Sequence, residues 1–291
     1  MKTIILTGII ILITGIIFRN DLAAMFSGNV KKENNKTKKE QQNFPAADVT
    51  IQQKWELPSI LVEVSGIAYI DARRFACVQD EAGTIFIYNT ATASIEQQIV
   101  FTGPGDFEGI ALNGNMAYIV RSDGVIFEVD MTTKKTREYP TFLTVDNNVE
   151  TLFYDAPNNR LLLAGKEPDA APAYKNIYAF NLGTKSMSKE PVVKIDLANP
   201  ALENGGKGSK KKKPFMPSGI AIHPMSKDIY ILDGPKSRLL VAGNDGAIKR
   251  VFELGKEFYK PEGISFSPAG DLYISNEGKK IPGNILQVSL K

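Results

Sequence analysis

The stretch Glu108-Gly109-Ile110-Ala111-Leu112 decides the fold, because related five-residue stretches occur four more times along the chain. In each of them a Ser or Glu precedes a small residue and a short apolar run. The other copies are Ser65-Gly66-Ile67-Ala68-Tyr69, Glu150-Thr151-Leu152-Phe153-Tyr154, Ser218-Gly219-Ile220-Ala221-Ile222 and Glu262-Gly263-Ile264-Ser265-Phe266. Their first residues are 43, 42, 68 and 44 positions apart. A period of about 40–50 residues made of short strands is typical of a β-propeller, in which each repeat forms one blade.

Alternating apolar residues and turn signals divide the repeats into strands. The first repeat predicts an antiparallel blade with strands at 66–70, 74–78, 84–88 and 95–101, and the second and fourth repeats follow the same plan. The third predicts strands at 151–154, 160–164, 176–181 and 192–196. Its longer interval is explained by an insertion at 197–213 that ends in four consecutive lysines, for which we expect a mobile surface loop.

The fifth repeat is short, with only 29 residues after Glu262. These residues supply three strands, and the segment 50–57 is the natural fourth strand, because pairing it with the last blade closes the ring without an open sheet edge. We therefore predict an all-β domain over 49–291, a five-bladed β-propeller closed by an N-terminal strand. Six blades remain the alternative if 150–217 hides a half-formed blade.

The N-terminal residues predict an exported protein. Residues 3–18 carry no charge and are dominated by isoleucine, which is consistent with a signal peptide or a membrane anchor within 1–28. Residues 29–48 form a Lys-rich segment without apolar periodicity, so we expect a disordered linker. The expected location is the periplasm or cell envelope, with or without an anchor in the inner membrane. The single cysteine, Cys77, lies in an apolar run, which predicts a buried thiol and excludes an intrachain disulfide.

The charge of the chain argues against nucleic-acid binding. The formal net charge of +3 comes from the linker and from the lysines of 207–213, and the rest of the chain is mildly acidic. Positive charge confined to predicted loops does not form the basic face that nucleic acids require. We expect a monomeric propeller whose partner is a small ligand or an envelope protein, and which touches a membrane only through its N-terminal segment.

The first residues of the five repeats are the candidate site. In an antiparallel blade the start of the innermost strand and the end of the second strand lie at the same end of the sheet. The first set comprises Ser65, Glu108, Glu150, Ser218 and Glu262. The second set comprises Asp80, Glu81, Arg121, Asp123, Lys166, Glu167, Asp233, Asn276 and Glu277. We expect these side chains to form a carboxylate-rich ring with two cations at one mouth of the central channel.

Such a ring predicts a bound cation. Neighbouring carboxylates raise each other's pKa, and a hard cation relieves their repulsion. Calcium accepts six to eight oxygen ligands in flexible geometry, so we expect Ca²⁺ held by Glu108, Glu150 and Glu262. The only histidine, His223, lies in a predicted turn at the opposite face, which disfavours zinc or copper and removes Ser-His-Asp catalysis. The alternative is that the Ser and Glu side chains only bind backbone groups at the crowded axis.

Three stretches resemble the SdiA-regulated family of bacterial β-propellers. They are Ser-Gly-Ile-Ala-Tyr at 65–69, Asp-Phe-Glu-Gly-Ile-Ala at 106–111, and Pro-Glu-Gly-Ile-Ser-Phe-Ser-Pro at 261–268 with Asp-Leu-Tyr-Ile-Ser-Asn-Glu at 271–277. The resemblance covers about 50–291 and implies an envelope-associated propeller with a metal, expected to be calcium, in its channel. It places Glu108, Glu150 and Glu262 at the family's channel acids. The chain departs from the pattern at Thr151-Leu152, where Gly-Ile is usual.

Three functions are compatible with these observations. The leading hypothesis is a binding module that holds calcium at the channel mouth and uses that face for a ligand or a protein. The second is a metal-dependent hydrolase of a lactone or phosphoester, with Glu81 or Glu167 as the base. The third is a tethered structural protein whose lysines at 207–213 contact anionic surfaces.

Overall fold

The strands of the protein form five separate antiparallel sheets. The predicted five-bladed β-propeller is thereby confirmed. The structure is a computed structural model, and it describes residues 49–168, 173–203 and 214–291. The strand that precedes the first repeat is β1 (Val49–Glu56). Blade 1 consists of β2 (Val64–Asp71), β3 (Arg74–Gln79), β4 (Thr84–Asn89) and β5 (Ser94–Val100). Blade 2 consists of β6 (Phe107–Asn113), β7 (Met116–Arg121), β8 (Ile126–Asp130) and β9 (Thr136–Tyr139).

Blade 3 is the irregular one. It contains β10 (Phe153–Asp155), β11 (Arg160–Leu163), β12 (Tyr174–Asn181), β13 (Ser186–Met187) and β14 (Val193–Asp196). The predicted outer strand at 192–196 is present as β14, but it pairs only with residues 174–177 of β12, whereas β13 pairs with the other end of β12. The fourth position of this blade is therefore divided between two short strands.

The expectation of a mobile loop over 197–213 is wrong for its first part. A short helix α1 (Pro200–Glu203) follows β14, and the side chains of Ala201 and Leu202 are buried in the core beside Phe215. The side-chain carbonyl of Asn199 accepts a hydrogen bond from the backbone N–H of Ala201 at 3.0 Å, as N-terminal capping residues do. Apolar burial outweighs the loop-like composition here. Residues 204–213 lie outside the described residues.

The last two blades follow the regular plan. Blade 4 consists of β15 (Pro217–Ile222), β16 (Ile229–Asp233), β17 (Arg238–Ala242) and β18 (Ile248–Glu253). Blade 5 consists of β19 (Pro261–Phe266), β20 (Leu272–Asn276) and β21 (Asn284–Leu290), in the sheet order β1-β21-β20-β19. Val49 pairs with Leu290 and Glu56 pairs with Asn284. The N-terminal strand thus completes the C-terminal blade as its outermost strand, as predicted.

Each pair of neighbouring blades shares one apolar cluster. Between blades 5 and 1, for example, Ile285 and Tyr273 lie with Ile67 and Phe75, and the predicted burial of Cys77 in this cluster is confirmed. Four further clusters occupy the other blade interfaces. The propeller core is therefore a ring of five interfaces, each filled by the apolar faces of two sheets.

The inner strands come very close together at the second residue of the repeat, which is glycine in four blades. A Cβ atom added to Gly66 would lie 3.0 Å from the Cα of Gly109 in the next blade, and one on Gly109 would lie 2.9 Å from the Cβ of Leu152. A Cβ on Gly219 would lie 2.6 Å from the carbonyl oxygen of Glu262, and one on Gly263 would lie 2.9 Å from the backbone nitrogen of Ile67. The repeated glycine is therefore required by the approach of neighbouring backbones.

The predicted signal peptide or anchor at 1–28 and the linker at 29–48 lie outside the described residues. Within 49–168, 173–203 and 214–291, no helix has the length and apolar character needed to cross a bilayer.

We predict that Gly219→Ala destabilises the protein by about 1–3 kcal/mol, because the added methyl group overlaps a backbone oxygen that cannot move without shifting blade 5. The free energy of unfolding from urea denaturation measures this effect. Gly255→Ala is the matched control, since no atom lies within 4 Å of its added Cβ. Equal stability of the two variants would contradict the proposed role of the glycine.

Candidate functional site: the acidic mouth of the central channel

A small cavity lies where the five inner strands begin. Its volume is about 10 Å³, which is room for one water-sized occupant. The first residues of all five repeats line it, namely Ser65, Glu108, Glu150, Ser218 and Glu262, together with the small and apolar residues that follow them. The structure therefore brings the first predicted set together at one end of the channel, which we call the channel mouth.

Irregular pairing at the start of the inner strands exposes these side chains to the mouth. The register between β2 and β3 skips Ser65, that between β6 and β7 skips Glu108, and that between β15 and β16 skips Ser218. In blade 5 the register shifts between Pro261 and Ile264, which includes Glu262. A β-bulge leaves an extra residue unpaired and redirects its side chain. A β-bulge thus occurs at the same position in four blades and directs a side chain toward the same cavity.

In blade 3 the hydroxyl of a threonine takes part in the strand pairing, and the glutamate before it faces the mouth. The hydroxyl of Thr151 accepts a hydrogen bond from the backbone N–H of Ala164 at 2.7 Å and donates to its carbonyl at 3.2 Å. Val149 makes an isolated bridge with Gly165. Glu150 lies between these two links, so its side chain also faces the mouth. Thr151, which stands where the other four repeats have Gly, therefore takes over part of the strand pairing at this position.

Two lysines contact two of the three glutamates. The ammonium of Lys166 lies 2.5 Å from Oε1 of Glu150, which also accepts a hydrogen bond from Asn148 at 3.0 Å. Lys260 lies 3.3 Å from Oε1 of Glu262 and also pairs with Glu277. The second carboxylate oxygen of Glu150 is buried and has no hydrogen-bond partner among the described residues. One oxygen of this acid is therefore available to a ligand.

Glu108 is the unpaired acid of the mouth. In residues 49–168, 173–203 and 214–291 its carboxylate takes part in no hydrogen bond and no ion pair. Burial raises its pKa to about 9, and the charges of Glu150, Asp106 and Glu262 add to that shift. At neutral pH the side chain is therefore protonated in the structure without a cation.

Burial also raises the pKa of the other two glutamates. The pKa of Glu262 rises to about 8, first because of burial and then because of the charge of Glu150. For Glu150, burial raises the pKa more than the Lys166 charge lowers it. Burial lowers the pKa of Lys166, but the charge and hydrogen bond of Glu150 together with the charge of Glu262 outweigh it, so the pKa is raised. The mouth thus holds more carboxylates than it can keep ionised with its two lysines.

The serines of the mouth bind backbone carbonyls. The hydroxyl of Ser218 donates to the carbonyl of Pro261 at 2.7 Å and so links blade 4 to blade 5. The hydroxyl of Ser65 donates to the carbonyl of Glu63 at 3.2 Å. Their protons are used within the fold, and their oxygen lone pairs can still face a ligand.

The second predicted set is mostly engaged elsewhere. Arg121 and Asp123 pair with each other at 2.8 Å, Asp233 pairs with the buried Arg238 at 2.8 Å, and Asn276 binds Asn284 at 3.0 Å. Glu81 and Glu167 are exposed and do not line the cavity. Among these residues only Lys166 contacts a mouth glutamate directly, and Glu277 is joined to the mouth through Lys260.

Asp80 does not line the cavity. Its Oδ1 atom is buried and has no partner in the part of the chain that the structure describes. Burial raises its pKa to about 6, and the charges of Glu63, Glu277, Glu81 and Asp106 raise it further. Asp80 therefore belongs to a group of acidic residues outside the cavity lining.

Sequence reasoning missed the charged residues that stand two positions before three of the five first residues, those of blades 1, 2 and 5. Glu63, Asp106 and Lys260 occupy these positions, and their charges act on Asp80, Glu108 and Glu262 respectively. Each of them directly precedes an inner strand, so an inspection of the positions just before the strands could have identified them. Lys260 matters most, because it is the cation that joins Glu262 to Glu277.

The mouth is chemically suited to a hard cation but is not closed around one. Its donors are carboxylate and hydroxyl oxygens, and both Glu108 and one oxygen of Glu150 lack partners within the described ranges. Among the described residues, however, no three His, Cys, Asp or Glu side chains are arranged as a metal-binding group. Holding a cation would therefore require rotation of the glutamate side chains about their flexible bonds.

Comparison with solved structures shows a β-propeller fold. A glutaminyl cyclase from Myxococcus xanthus is similar with a TM-score of 0.60 and 14% identity, over 84% of this chain and 97% of that chain. A PQQ-bound aldose sugar dehydrogenase from Streptomyces coelicolor is similar with a TM-score of 0.52 and 16% identity, over 85% of this chain and 100% of that one. No family model and no curated protein matches the chain. At this identity the likeness concerns the fold alone.

We predict that the cation-free protein loses stability as pH rises from about 5 to 9. The folded state keeps a proton on Glu108 up to about pH 9, whereas the unfolded chain releases it near 4.5. The folded state therefore binds more protons in this interval, and one such group contributes a slope of up to about 1.4 kcal/mol per pH unit.

Urea denaturation at several pH values in the presence of a chelator measures this slope. Glu108→Gln should make it shallower, because the amide does not titrate, while the exposed Glu190→Gln should leave it unchanged. Identical slopes for wild type and Glu108→Gln would show that Glu108 does not titrate as described.

Proposed function

We propose that the protein is an exported or envelope-tethered binding module that holds a divalent cation, calcium, at its channel mouth and uses that face for a ligand or a protein partner. The observation that carries this proposal is the surplus of carboxylates in one cavity. Glu108, Glu150 and Glu262 face two lysines there, and Glu108 has no counter-charge of its own within the described residues.

Charge balance favours a cation over an empty mouth. Without a cation, Glu108 and Glu262 have raised pKa values because their ionised forms are buried close together. A divalent cation would let both side chains ionise and would provide a partner for the free oxygen of Glu150. Calcium suits this position because it accepts carboxylate and hydroxyl oxygens in irregular geometry.

Lys166 and Lys260 limit how the cation can be bound. Each holds one oxygen of a mouth glutamate, which leaves the other oxygen of that carboxylate to turn toward the axis. A site that shares its acids with two lysines has a lower net charge than a site of carboxylates alone, which lowers cation affinity. We therefore expect reversible rather than permanent binding, as suits a module that responds to its surroundings.

The proposal does not extend to catalysis. Glu81 and Glu167, the bases that a hydrolase would use, are exposed and lie outside the cavity lining. The two similar structures are named as enzymes. Because their sequence identity to this chain is low, the likeness supports the fold alone and assigns no role to any residue of the mouth. Export and tethering rest on the apolar segment at 3–18 and are part of the proposal.

We predict that calcium chloride stabilises the purified protein and that elemental analysis finds about one calcium per chain. Calcium at one hundred times its dissociation constant should add about 2.7 kcal/mol to the free energy of unfolding. Glu108→Gln and Glu262→Gln should reduce both the metal content and the stabilisation, because each removes a charged oxygen donor. Glu190→Gln is the control on the surface. Unchanged metal content in both mouth variants would refute the proposal.

We also predict that calcium binding releases protons. Glu108 and Glu262, with pKa values of about 9 and 8, are largely protonated at pH 7 and must ionise to bind the cation. Affinity should therefore rise from pH 6 to pH 9. Calorimetry in two buffers of different ionisation enthalpy measures the released protons directly, and equal heats in both buffers would argue against ionisation of these acids.

A further inference from the structure

We propose that a cleft between blades 3 and 4, at the other end of the propeller from the channel mouth, binds a small amphiphilic carboxylate, that is, a molecule with an apolar body and one anionic head. The cleft has a volume of about 530 Å³, within the range of about 300–1,000 Å³ that is usual for small-molecule sites. We call it the interblade cleft.

The position of the cleft separates it from the mouth. It is lined by the turn between β10 and β11 and by the turn between β15 and β16. These turns follow the ends of the inner strands, whereas the mouth is built at their starts. The two sites therefore lie at opposite ends of the inner strands and can be tested independently.

The floor of the interblade cleft is apolar. Phe153, Leu162, Val193, Ile222 and Ile229 line it, and all five belong to or pack against the cluster between blades 3 and 4. The irregular construction of blade 3 accounts for the opening. Its inner strand β10 has only three residues, and its outer position is split between β13 and β14, so this sheet covers less of the facing blade.

The rim supplies an oriented guanidinium. Nε of Arg160 donates to Oδ2 of the buried Asp155 at 2.7 Å, and the side-chain amide of Asn158 donates to the same oxygen at 2.8 Å. The terminal amino groups of Arg160 make no hydrogen bond within residues 49–168, 173–203 and 214–291. Asp155 thus fixes the direction of Arg160 and leaves its outer donors for a ligand.

A second cation stands on the facing side of the cleft. Lys227 is exposed in the turn of blade 4, and its ammonium donates to the carbonyl of Pro224 in the same turn. Among the residues that line the cleft, Arg160 and Lys227 face a single carboxylate, that of Asp155. The rim therefore has a surplus of one positive charge above an apolar floor. This combination is complementary to an apolar molecule with one carboxylate.

Octanoate is the probe that tests the proposal, and octanol is its uncharged counterpart. We expect calorimetry with the full chain to show saturable binding of octanoate and weaker binding of octanol. Lys227→Gln should weaken octanoate binding about fivefold and leave octanol unchanged, because only the charged head is affected. The control is Lys134→Gln, since Lys134 also occupies a left-handed turn position, with φ of 58° against 62° for Lys227, but does not line the cleft.

A second variant tests the cavity itself. Val192→Trp places a large ring at the cleft from a side chain that is 36% exposed, and it should abolish binding of both probes. Met225→Trp, at an exposed position in the facing turn that does not line the cleft, should bind octanoate as wild type does. Thermal unfolding of each variant checks that the fold is retained.

Several results would overturn the proposal. These are absence of saturable octanoate binding by the wild-type protein, octanol binding as tight as octanoate binding, or octanoate binding that Lys227→Gln does not weaken. Lys227 is exposed and lies outside the core, so we expect Lys227→Gln to fold. This variant therefore tests the proposal even if Val192→Trp fails to fold. Binding of octanoate by Glu108→Gln at wild-type strength would show that the cleft, and not the channel mouth, holds the probe.

Discussion

The close approach of five inner strands around one axis is the constraint on which the rest of the molecule depends. Where a methyl group would come within about 3 Å of a neighbouring backbone, only glycine fits at most positions, and the residue before it is forced out of the regular pairing. That residue then faces the axis with the equivalent residues of the other blades. Packing at the axis therefore creates the polar cavity, and the choice of Ser or Glu at each position decides its charge.

The close approach of the inner strands also explains why carboxylates repel one another at the mouth. Glu108, Glu150 and Glu262 cannot move far apart, because Glu108 and Glu262 are fixed to inner strands and Glu150 to the bridged segment just before one. Lys166 and Lys260 offset part of the repulsion between these carboxylates. The raised pKa of Glu108 shows that part of the repulsion and the cost of burial are not offset. A fold that needs close inner strands thus concentrates buried charge at one end, while the opposite end, where β10 is short, leaves an apolar opening between two blades.

Much of the fold could be predicted because the repeat spacing, the turn residues and the alternation of apolar positions all act locally. Closure by β1 also followed from the missing strand of the last repeat. The channel-mouth set was predicted because equivalent positions of a propeller meet at one axis. The second set was less predictable, since Asp233 and Asn276 find partners in Arg238 and Asn284 on adjacent strands. Side-chain pairing of that kind depends on register and rotamers, which a pattern does not encode. Burial of Ala201 and Leu202 was missed because the surrounding composition is typical of a loop.

Closure of blade 5 also has a kinetic consequence. Val49 pairs with Leu290, so the backbone hydrogen bonds of β1 cannot form until β21 is available to pair with it. Contacts of such high sequence separation carry a large loop-closure entropy and are typical of slow steps in folding. Blades 1 to 4 can each form from local hairpins, but the ring becomes a single cooperative unit only when this final pairing occurs. Until then, β21 presents an unpaired edge, and assembly of the propeller competes with association through that edge.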